Sequence, residues 1–574
     1  MPARPLALAR PTRLLAVLAM TVAGFAAAQD VEVQAPKDID ALVSPYLPTE
    51  SLADPAAREQ ARRRLEKSLP ELLATEGYFR PRLDFAERDG ILVVRIDPGP
   101  RTVIAAVDVT IAGNLEDTQR RALIASWPLS PGKPFRQADW SAAKQQILTW
   151  LLGIGHAGAS LTDSRADIDP ETGQARLQAS YDAGPPYRFG PLVIEGLSRY
   201  PPKLVERYNR TVRPGEPYRE GQLIALQNAL QATPYFSSVQ VDIERGGEPG
   251  PDGTVTAPVH LLVQERKPHR VALGAGISSN TGARVEINYH TADLFRNAWE
   301  LDSGVRVEQK RQIAYADVFL PPDRRNYRHG FGALVEQTDI QNLVTERFAI
   351  GVQRSQQRGS VEMRLSLNWQ EEKKRPEGGL ATIDRALVPD SLWTWRRVDS
   401  LLDPRQGIVL QARIGGASRA LLSDRDFLRL HGRYQQFIPV GRRDVLTLRG
   451  EMGRTLAESR LGIPQEYLFR AGGTNSVRGY SYQSLGVKEG SAIVGGRYLA
   501  VASAEYTHWL DERWGVAAFV DAGDATDEMK GFRPAVGYGL GARWKSPAGP
   551  IAVDLAYGQR ADRFQLHFSL AIPF

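Results

Sequence analysis

The chain of 574 residues contains no cysteine, and it has only eight histidines and five methionines. Without cysteine the protein forms no disulfide bond and carries no lipid on an N-terminal cysteine. Long apolar runs are equally scarce. The run from Leu14 to Ala28 is shorter than the roughly 18 residues that a membrane-spanning helix needs, and no other run is as long. Mean hydropathy is -0.32, so the sequence predicts no transmembrane helix.

Motifs of catalysis and of metal binding are missing too. The sequence shows no Gly-x-Ser-x-Gly elbow and no His-Glu-x-x-His pair, and its histidines lack metal-ligand spacing. The net charge of +6 comes from interspersed charges of both signs, which does not favour nucleic acid as a partner. We therefore expect a protein that is not an enzyme, uses no cofactor or metal, and does not bind nucleic acid.

The N-terminus has the features of a secretory signal. A basic region with Arg4, Arg10 and Arg13 precedes the apolar run, and the small residues Ala26 to Ala28 precede Gln29. This order predicts a signal peptide over residues 1–28, so the mature chain is expected to be exported.

A repeat with a period near eighty residues fills the N-terminal half. The segment Pro131-Gly132-Lys133-Pro134-Phe135 recurs 83 residues later as Pro214-Gly215-Glu216-Pro217-Tyr218, and Ile111-Ala112-Gly113 recurs at the same spacing as Ile194-Glu195-Gly196. A third marker recurs at 77–79, 155–157 and 234–236. Markers at a common spacing indicate repeated domains, which we place at residues 31–103, 104–187 and 188–267.

Each repeat predicts a small α+β module. Apolar residues at helical spacing indicate one helix per module, and a turn rich in Asp and Gly indicates a β-hairpin after the helix. The helical positions are Leu65, Leu69 and Leu72; Trp140, Ile147, Leu151 and Ile154; and Leu223, Leu226 and Leu230. The turns are Asp89-Gly90, Asp169-Pro170 with Gly173, and Asp252-Gly253.

From residue 268 onward the pattern changes to two-residue alternation. In the last segment Gln565, His567 and Ser569 share one face, and the other face carries Phe564, Leu566, Phe568, Leu570, Ile572 and Phe574. One apolar and one polar face are typical of strands between lipid and a polar lumen, and a β-sandwich or propeller would not need six aligned apolar residues. His508 and His567 are interpreted as ordinary lumen or girdle residues.

Sixteen such segments predict a sixteen-stranded antiparallel transmembrane β-barrel over residues 268–574. The predicted connections after even strands are short, as at 403–406 and 546–549. Several connections after odd strands are long, notably those at 371–393 and 455–494. Short periplasmic turns with long outer loops are the pattern of outer-membrane barrels.

The second long connection contains the first candidate site, Val477-Arg478-Gly479-Tyr480. Strand thirteen contains Phe519-Val520-Asp521-Ala522-Gly523, and its alternation directs Asp521 into the lumen. An unpartnered carboxylate there would be costly, so we expect Arg478 to bind Asp521 through charge-assisted hydrogen bonds. Gly495 and Gly496, placed at the start of strand twelve, would let the loop approach the wall. The pair could be a static lock or a switch.

The closure of the barrel is the second candidate site. The first strand contains Leu273, Gly274 and Gly276, and its glycines specify register weakly. It must close against the strand that contains Phe568, Leu570 and Phe574. The glycines could let this seam open sideways to admit a client strand or lipid, or they could only give the wall its curvature. Both alternatives stay open.

These features resemble known families. The repeats are similar to POTRA domains, which precede certain outer-membrane barrels in the periplasm. Residues 477–480 resemble the VRGF/Y loop motif of the BamA/TamA superfamily, 519–523 its FxDxG strand motif, and 541–550 with Phe574 also fit. The resemblance implies the outer membrane of a Gram-negative bacterium. It also implies that the modules offer a sheet edge to client strands, unless their edges are blunted and they are only spacers.

Three modules favour the TamA branch of this superfamily. The resemblance then implies assembly of unfolded outer-membrane proteins such as autotransporters, contact with outer-membrane lipid, phospholipid movement, and an inner-membrane-anchored TamB-like partner. The alternative is a two-partner-type secretion pore for one exoprotein. A plug helix ahead of the modules would support the pore, but Pro36, Pro45 and Pro48 suit no long helix there.

Overall fold

The computed structural model describes residues 31–48, 52, 54–546 and 549–573. The predicted signal segment, Phe574 and part of the predicted turn at 546–549 lie outside the described residues. Within that described part, no helix combines the length and the apolar character needed to cross a membrane.

In the described part of the chain, three modules with the same order of secondary-structure elements precede the barrel. Each has a leading strand, two helices and a hairpin, and the last strand is the central one of a three-stranded sheet. The predicted helix and hairpin are present in each module, whereas the leading strand and the shorter first helix were not predicted. The elements are β1 (Val31–Gln34), α1 (Lys37–Val43), α2 (Pro55–Thr75), β2 (Arg82–Arg88) and β3 (Ile91–Asp97); β4 (Val103–Ala112), α3 (Asp117–Ala125), α4 (Gln137–Gly153), β5 (Ser160–Asp169) and β6 (Gln174–Asp182); β7 (Tyr187–Glu195), α5 (Pro202–Tyr208), α6 (Glu220–Gln231), β8 (Phe236–Ile243) and β9 (Val255–Glu265).

The longer helix of each module buries one apolar stripe. In α2 the buried residues are Ala61, Leu65, Leu69 and Leu73, which recur every four residues as one helical face requires. The predicted Leu72 is only partly buried because it lies at the border of that face. Ile154 follows α4 as its C-cap residue and is not part of the helix.

The repeated Pro-Gly-x-Pro segment is a turn that closes onto the leading strand of its module. Pro134 forms an antiparallel bridge with Val103, the first residue of β4. Gly132 has a φ of +88°, a conformation that glycine adopts without strain, and its N–H donates to the carbonyl oxygen of Ile104 at 2.8 Å. The next module repeats this arrangement, with a bridge between Arg188 and Pro217.

The joint between the first two modules contains an ion cluster. The carboxylate of Glu76, which caps α2, accepts from Nε and Nη2 of Arg136 at 2.7 and 3.0 Å. Nε of Arg101 donates to the Glu76 carbonyl oxygen at 2.8 Å. The hydrogen bonds from Arg136 lower the pKa of the Glu76 carboxyl. In the second module Ile154 takes the C-cap position that Glu76 has in the first, so this ionic joint is not repeated there.

Sixteen antiparallel strands close a barrel within the described residues, as predicted. A small hairpin, β21 (Val487–Glu489) and β22 (Ala492–Val494), interrupts their sequence. The barrel strands are β10 (His269–Ser278), β11 (Gly282–Leu294), β12 (Trp299–Glu308), β13 (Arg311–Phe319), β14 (Arg328–Ile340), β15 (Leu343–Arg358), β16 (Val361–Pro376), β17 (Thr382–Val398), β18 (Gly407–Ala417), β19 (Phe427–Val440), β20 (Asp444–Leu456), β23 (Tyr498–Trp509), β24 (Trp514–Thr526), β25 (Ala535–Ser546), β26 (Gly549–Gly558) and β27 (Arg563–Pro573).

The prediction of a long connection over 371–393 is wrong. Strands β16 and β17 run through it and leave only residues 377–381 between them. The inward-facing Glu372 and Lys374 of β16 are instead covered by the next long connection. The backbone N–H of Gln465 donates to Glu372 at 2.7 Å, and Nζ of Lys374 lies 3.8 Å from the Glu489 carboxylate. Of the two long outer connections named from the sequence, the second thus exists, at 457–497.

Candidate functional site

The connection from 457 to 497, which we call the lumen loop, has its own ordered structure inside the barrel. It contains the β21–β22 hairpin and a short helical turn at Gln465–Tyr467. Backbone bridges join Phe469 to Gly496 and Ala471 to Leu485. Its buried residues Val477 and Tyr480 pack with Leu499 and Ala525 of the wall. These contacts hold the loop tip, residues 477–480, in a fixed position.

Arg478 at this tip binds Asp521 of β24 through both ends of the carboxylate. Its Nε donates to Oδ2 at 2.7 Å and its Nη2 to Oδ1 at 3.0 Å. The backbone N–H of Arg478 also donates to Oδ2 at 3.0 Å. The side chains are 2% and 0% exposed, so the pair is sequestered from water, where charge-assisted hydrogen bonds are strongest.

Two further carboxylates, which the sequence did not indicate, complete the arginine site. Nη1 of Arg478 donates to Glu505 of β23 at 2.6 Å and to Asp554 of β26 at 3.1 Å. Arg543 binds the same two carboxylates at 2.9 and 2.6 Å. Both acids occupy inward positions of their strands, but several other inward positions are acidic as well, and only the folded loop selects these two.

The charges of the site balance. The three arginines Arg449, Arg478 and Arg543 face the three carboxylates Glu505, Asp521 and Asp554, with Arg449 4.0 Å from Asp521. Burial alone would lower the pKa of the Arg478 guanidinium, but the hydrogen bonds and charges of Asp521 and Glu505 outweigh burial and raise it. Arg478 therefore stays charged, and the site holds a permanent cation among matched anions.

The guanidinium also stacks on an aromatic ring. The Cζ atom of Arg478 lies 3.4 Å from the ring centroid of Phe519, which is two residues before Asp521 on β24. A planar cation on an aromatic face gains both electrostatic and dispersion energy. The predicted residues Phe519 and Asp521 thus contact one side chain, and their spacing places both on the inward face of one strand.

Glycines let the loop tip touch the wall. A Cβ on Gly479, which has a φ of +89°, would lie 2.7 Å from the backbone nitrogen of Gly558. A Cβ on Gly537 of β25 would overlap the carbonyl oxygen of Arg478. Gly523 is similarly close, since its Cβ would lie 2.7 Å from the carbonyl oxygen of Ala500. The predicted Gly479 thus permits backbone contact between the loop and β26, and the predicted Gly523 permits close contact between neighbouring strands. Gly537, which was not predicted as a site residue, permits the contact with β25.

Gly495 and Gly496 also lie at a close approach, but ahead of strand twelve. The strand, β23, begins at Tyr498, so the prediction that they start this strand is wrong by a few residues. The reason is that Gly496 bridges to Phe469 within the lumen loop and does not enter the barrel ladder. A Cβ on Gly495 would lie 2.5 Å from that of Leu468.

The seam joins β10 to β27 along a short register. Pairing runs from Gly274 opposite Pro573 to Ser278 opposite Ser569. On its other side β10 pairs with β11 over its whole length, from His269 to Ser278. Leu273 precedes the first described pair and faces outward; the next position of β27, Phe574, lies outside the described residues. Among the described residues, the pairing of β10 with β27 thus covers fewer positions of β10 than its pairing with β11 does.

The lumen loop contacts both sides of this seam. On the β27 side the N–H of Gly479 donates to Nε2 of His567 at 2.9 Å. On the β10 side, Thr474 donates through its backbone N–H and hydroxyl to Oδ1 of Asn280 at 3.3 and 3.1 Å. We call these two contacts the seam clamp. His567 was interpreted as an ordinary lumen residue, and only the folded loop gives it this specific role.

Tyr480, the last residue of the tip, fastens the loop to the outer ends of β25 and β26. Its hydroxyl donates to the Val536 carbonyl oxygen at 3.0 Å and accepts from the N–H of Arg560 at 2.9 Å. His508, the other histidine considered above, binds Asp444 at 2.8 Å far from the site. No group of three potential metal ligands occurs among the described residues.

Comparison with known proteins identifies the family. A model of the Omp85 superfamily domain matches residues 267–574, more than half of the chain. The chain belongs to the Omp85 superfamily. A POTRA model, described as a surface antigen variable number repeat, matches residues 187–266. Proteins of this superfamily assemble or secrete other proteins at the outer membrane, and in this chain the barrel lies in that membrane with the POTRA domains in the periplasm.

A solved structure shares the fold at low sequence identity. The crystal structure of BamA from Haemophilus ducreyi lacking POTRA domains 1–3 is similar with a TM-score of 0.70 and 16% identity, over 81% of this chain and 99% of that chain. CdiB from Acinetobacter baumannii is similar with a TM-score of 0.47 and 15% identity, over 92% of this chain and 100% of that chain.

Proposed function

We propose that the chain is the outer-membrane subunit of a translocation and assembly module, similar to TamA. It assists the insertion of outer-membrane proteins such as autotransporters, and its periplasmic POTRA domains meet a TamB-like inner-membrane-anchored partner. Phospholipid movement between the membranes is part of the same proposal. The protein acts without a catalytic centre or cofactor. The observation that carries the proposal is the seam between β10 and β27, which the lumen loop contacts on both sides.

The seam offers a template for a client strand when it opens. Separating β10 from β27 would free the backbone hydrogen-bonding groups that pair across the seam, between Gly274–Ser278 on one side and Ser569–Pro573 on the other. Unpaired strand edges accept an extended segment with little demand on its sequence. The edge tolerates different sequences because main-chain hydrogen bonds supply the affinity. A factor that serves many unfolded clients needs this tolerance.

The loop divides into a permanent and a releasable part. Removing Arg478 from its three carboxylates would leave buried charges unpaired, which typically costs about 3–5 kcal/mol. The seam clamp consists of hydrogen bonds between neutral groups, which contribute about 0.5–1.5 kcal/mol each. We therefore assign Arg478 and Asp521 a static lock, and we assign the movement during insertion to the clamp at Asn280 and His567.

Site-specific photocrosslinking in cells tests the proposal. A photoreactive residue at Asp84, on the edge strand β2, should capture a TamB-like protein. One at Ile277, on the seam strand, should capture several outer-membrane proteins during their synthesis. The matched control is Lys67 on the exposed side of α2, which should capture neither.

The pattern of captured proteins distinguishes the candidate functions. Several different barrel clients at Ile277 together with a TamB-like protein at Asp84 support the assembly function. A single secreted exoprotein at both positions would instead make the chain a two-partner-type secretion pore. Capture at Lys67 equal to that at Asp84 would show that the first module is only a spacer.

A further inference from the structure

The lipid-facing wall of the barrel has an apolar furrow near its outer end. Two adjoining hollows of about 540 and 590 Å³ cross the outward faces of β18, β19, β20, β23 and β24. They share Gly432, Met452, Ala500 and Phe532 in their linings. The connection between β24 and β25 lies over one border of the furrow, through Met529 and Phe532.

The furrow exists because small residues occupy outward positions on neighbouring strands. Gly432, Gly450, Ala500, Ala502 and Ala522 form its floor on β19, β20, β23 and β24. A Cβ on Gly450 would meet no atom within 4 Å, and one on Gly432 would meet only a carbonyl oxygen at 3.9 Å. Larger apolar side chains, such as Leu410, Leu430 and Tyr434, border the floor. In a membrane, small residues let an apolar partner approach closely and gain dispersion contacts.

A cation lies at the outer end of the furrow. Arg454, one of the last residues of β20, faces outward and lines the hollow together with Tyr498, with its guanidinium 5.4 Å from the tyrosine ring centroid. No ion pair joins Arg454 to an acid in the described part of the chain. Because barrel strands alternate in direction and β10 leaves the periplasmic modules, β20 ends at the outer surface. The exposed Lys530 belongs to the same outer border.

We propose that this furrow binds an acyl chain of a phosphorylated glycolipid of the outer leaflet, with the lipid phosphate held by Arg454. The furrow faces hydrocarbon, so an acyl chain is the apolar group available to fill it. Its unpaired cation complements an anionic headgroup at the outer interface. A phospholipid of the inner leaflet would place its phosphate at the opposite end of the apolar band, about 25 Å away.

Native mass spectrometry of the full chain in detergent tests this site with two probes, lipid A and phosphatidylglycerol. The wild type should retain one lipid A and markedly less phosphatidylglycerol. Gly450→Leu and Gly432→Leu should lose the bound lipid A, because the new side chains fill open space without a clash. Arg454→Gln should reduce retention about fivefold, the factor expected from losing one basic contact near a lipid surface.

Ala518→Leu is the matched control, since Ala518 faces outward on β24 but lies outside the furrow. It should retain lipid A like the wild type, and heat-modifiable electrophoretic mobility should show that every variant is folded. Equal retention by wild type, Gly450→Leu and Gly432→Leu would mean annular lipid only and would overturn the proposal. Equal retention of both probes would refute the outer-leaflet source. A dimer that Gly450→Leu dissolves would make a second copy the occupant.

Discussion

Gly479 and His567 connect the tip of the lumen loop to the last barrel strand through a hydrogen bond of 2.9 Å. Because the histidine Nε2 accepts this bond, its proton resides on Nδ1. On the other side of the seam, Thr474 contacts Asn280, in the turn directly after β10. A single loop therefore spans a junction whose described pairing covers Gly274 to Ser278 of the first strand.

Loss of the clamp should loosen the seam. His567→Ala and Asn280→Ala should each speed amide hydrogen exchange in β10 and β27, because weaker closure raises the population of open seam. His567→Gln, which can still accept a hydrogen bond, should exchange more slowly than His567→Ala. Hydrogen exchange with peptide-level mass spectrometry is the measurement. Unchanged exchange in both strands for both alanine variants would exclude a clamping role.

The lock should behave as a coupled pair. Arg478→Ala and Asp521→Ala should each lower the free energy of unfolding by about 3–5 kcal/mol, because each leaves the buried charges of the site unbalanced and removes the bidentate pair. The double variant should lose less than the sum, by about 1–3 kcal/mol. Urea titrations of the refolded full chain measure all three values.

A second ion pair in the lumen provides the control for this cycle. Asp390 binds Arg413 at 2.8 Å, apart from the arginine site. Combining Asp390→Ala with Arg478→Ala should therefore give additive losses. Strict additivity of the Arg478 and Asp521 variants would contradict the lock.

Close backbone approach should make Gly537 intolerant of any side chain. Gly537→Ala places a Cβ on the carbonyl oxygen of Arg478, so the tip should be displaced from the wall and the lumen loop should become sensitive to added protease. Gly450→Ala is the control in the same barrel, because its Cβ meets open space. Equal protease resistance of the two variants would show that the tip does not depend on this contact.

The joint of the first two modules should respond to pH through Glu76. Its pKa is lowered in the folded state, so its contribution to the joint is fully present above the ordinary glutamate pKa of about 4.3 and is lost as pH falls through the lowered value. The chain has no native cysteine, so spin labels can be attached specifically to a Lys67→Cys, Gln146→Cys variant. Double electron–electron resonance between the two labels reports the distance between the modules.

The wild-type distance distribution should be narrow at pH 7 and at pH 5, and it should broaden only at more acidic pH. Glu76→Gln should be broad at pH 7, whereas the control Glu66→Gln, on the exposed side of α2, should stay narrow. A narrow distribution for Glu76→Gln would show that other contacts fix the joint.

Periodic features of the sequence predicted the architecture well. The apolar stripe of α2 and the alternation of β27 follow from geometry that repeats every 3.6 or 2 residues, so the modules and the sixteen strands were predictable. Residues 371–393 were not. Their inward charges fit a strand because the lumen loop supplies Gln465 and Glu489 as partners. Such contacts between distant segments cannot be predicted from the local sequence.

The candidate site was predictable to the same extent. The two-residue alternation of the strand predicted that Asp521 faces the lumen, and the single arginine of the loop tip was the predicted partner. Glu505, Asp554 and Arg543 lie on three other strands, and nothing in their spacing distinguishes them from other inward charged residues. The contacts of Asn280 and His567 depend on the three-dimensional position of the loop tip, which no pattern in one sequence specifies.

Opening of the seam is the central claim, and a reversible bridge tests it most directly. Ile277 and Leu570 are register partners across the seam, and Ile277→Cys with Leu570→Cys introduces the only thiols of the chain. Register partners in neighbouring strands lie within the Cα separation that a disulfide tolerates. Oxidation should abolish client assembly in reconstituted membranes while the barrel stays folded, and reduction should restore it. Full activity with the bridge quantitatively formed would contradict a seam that opens.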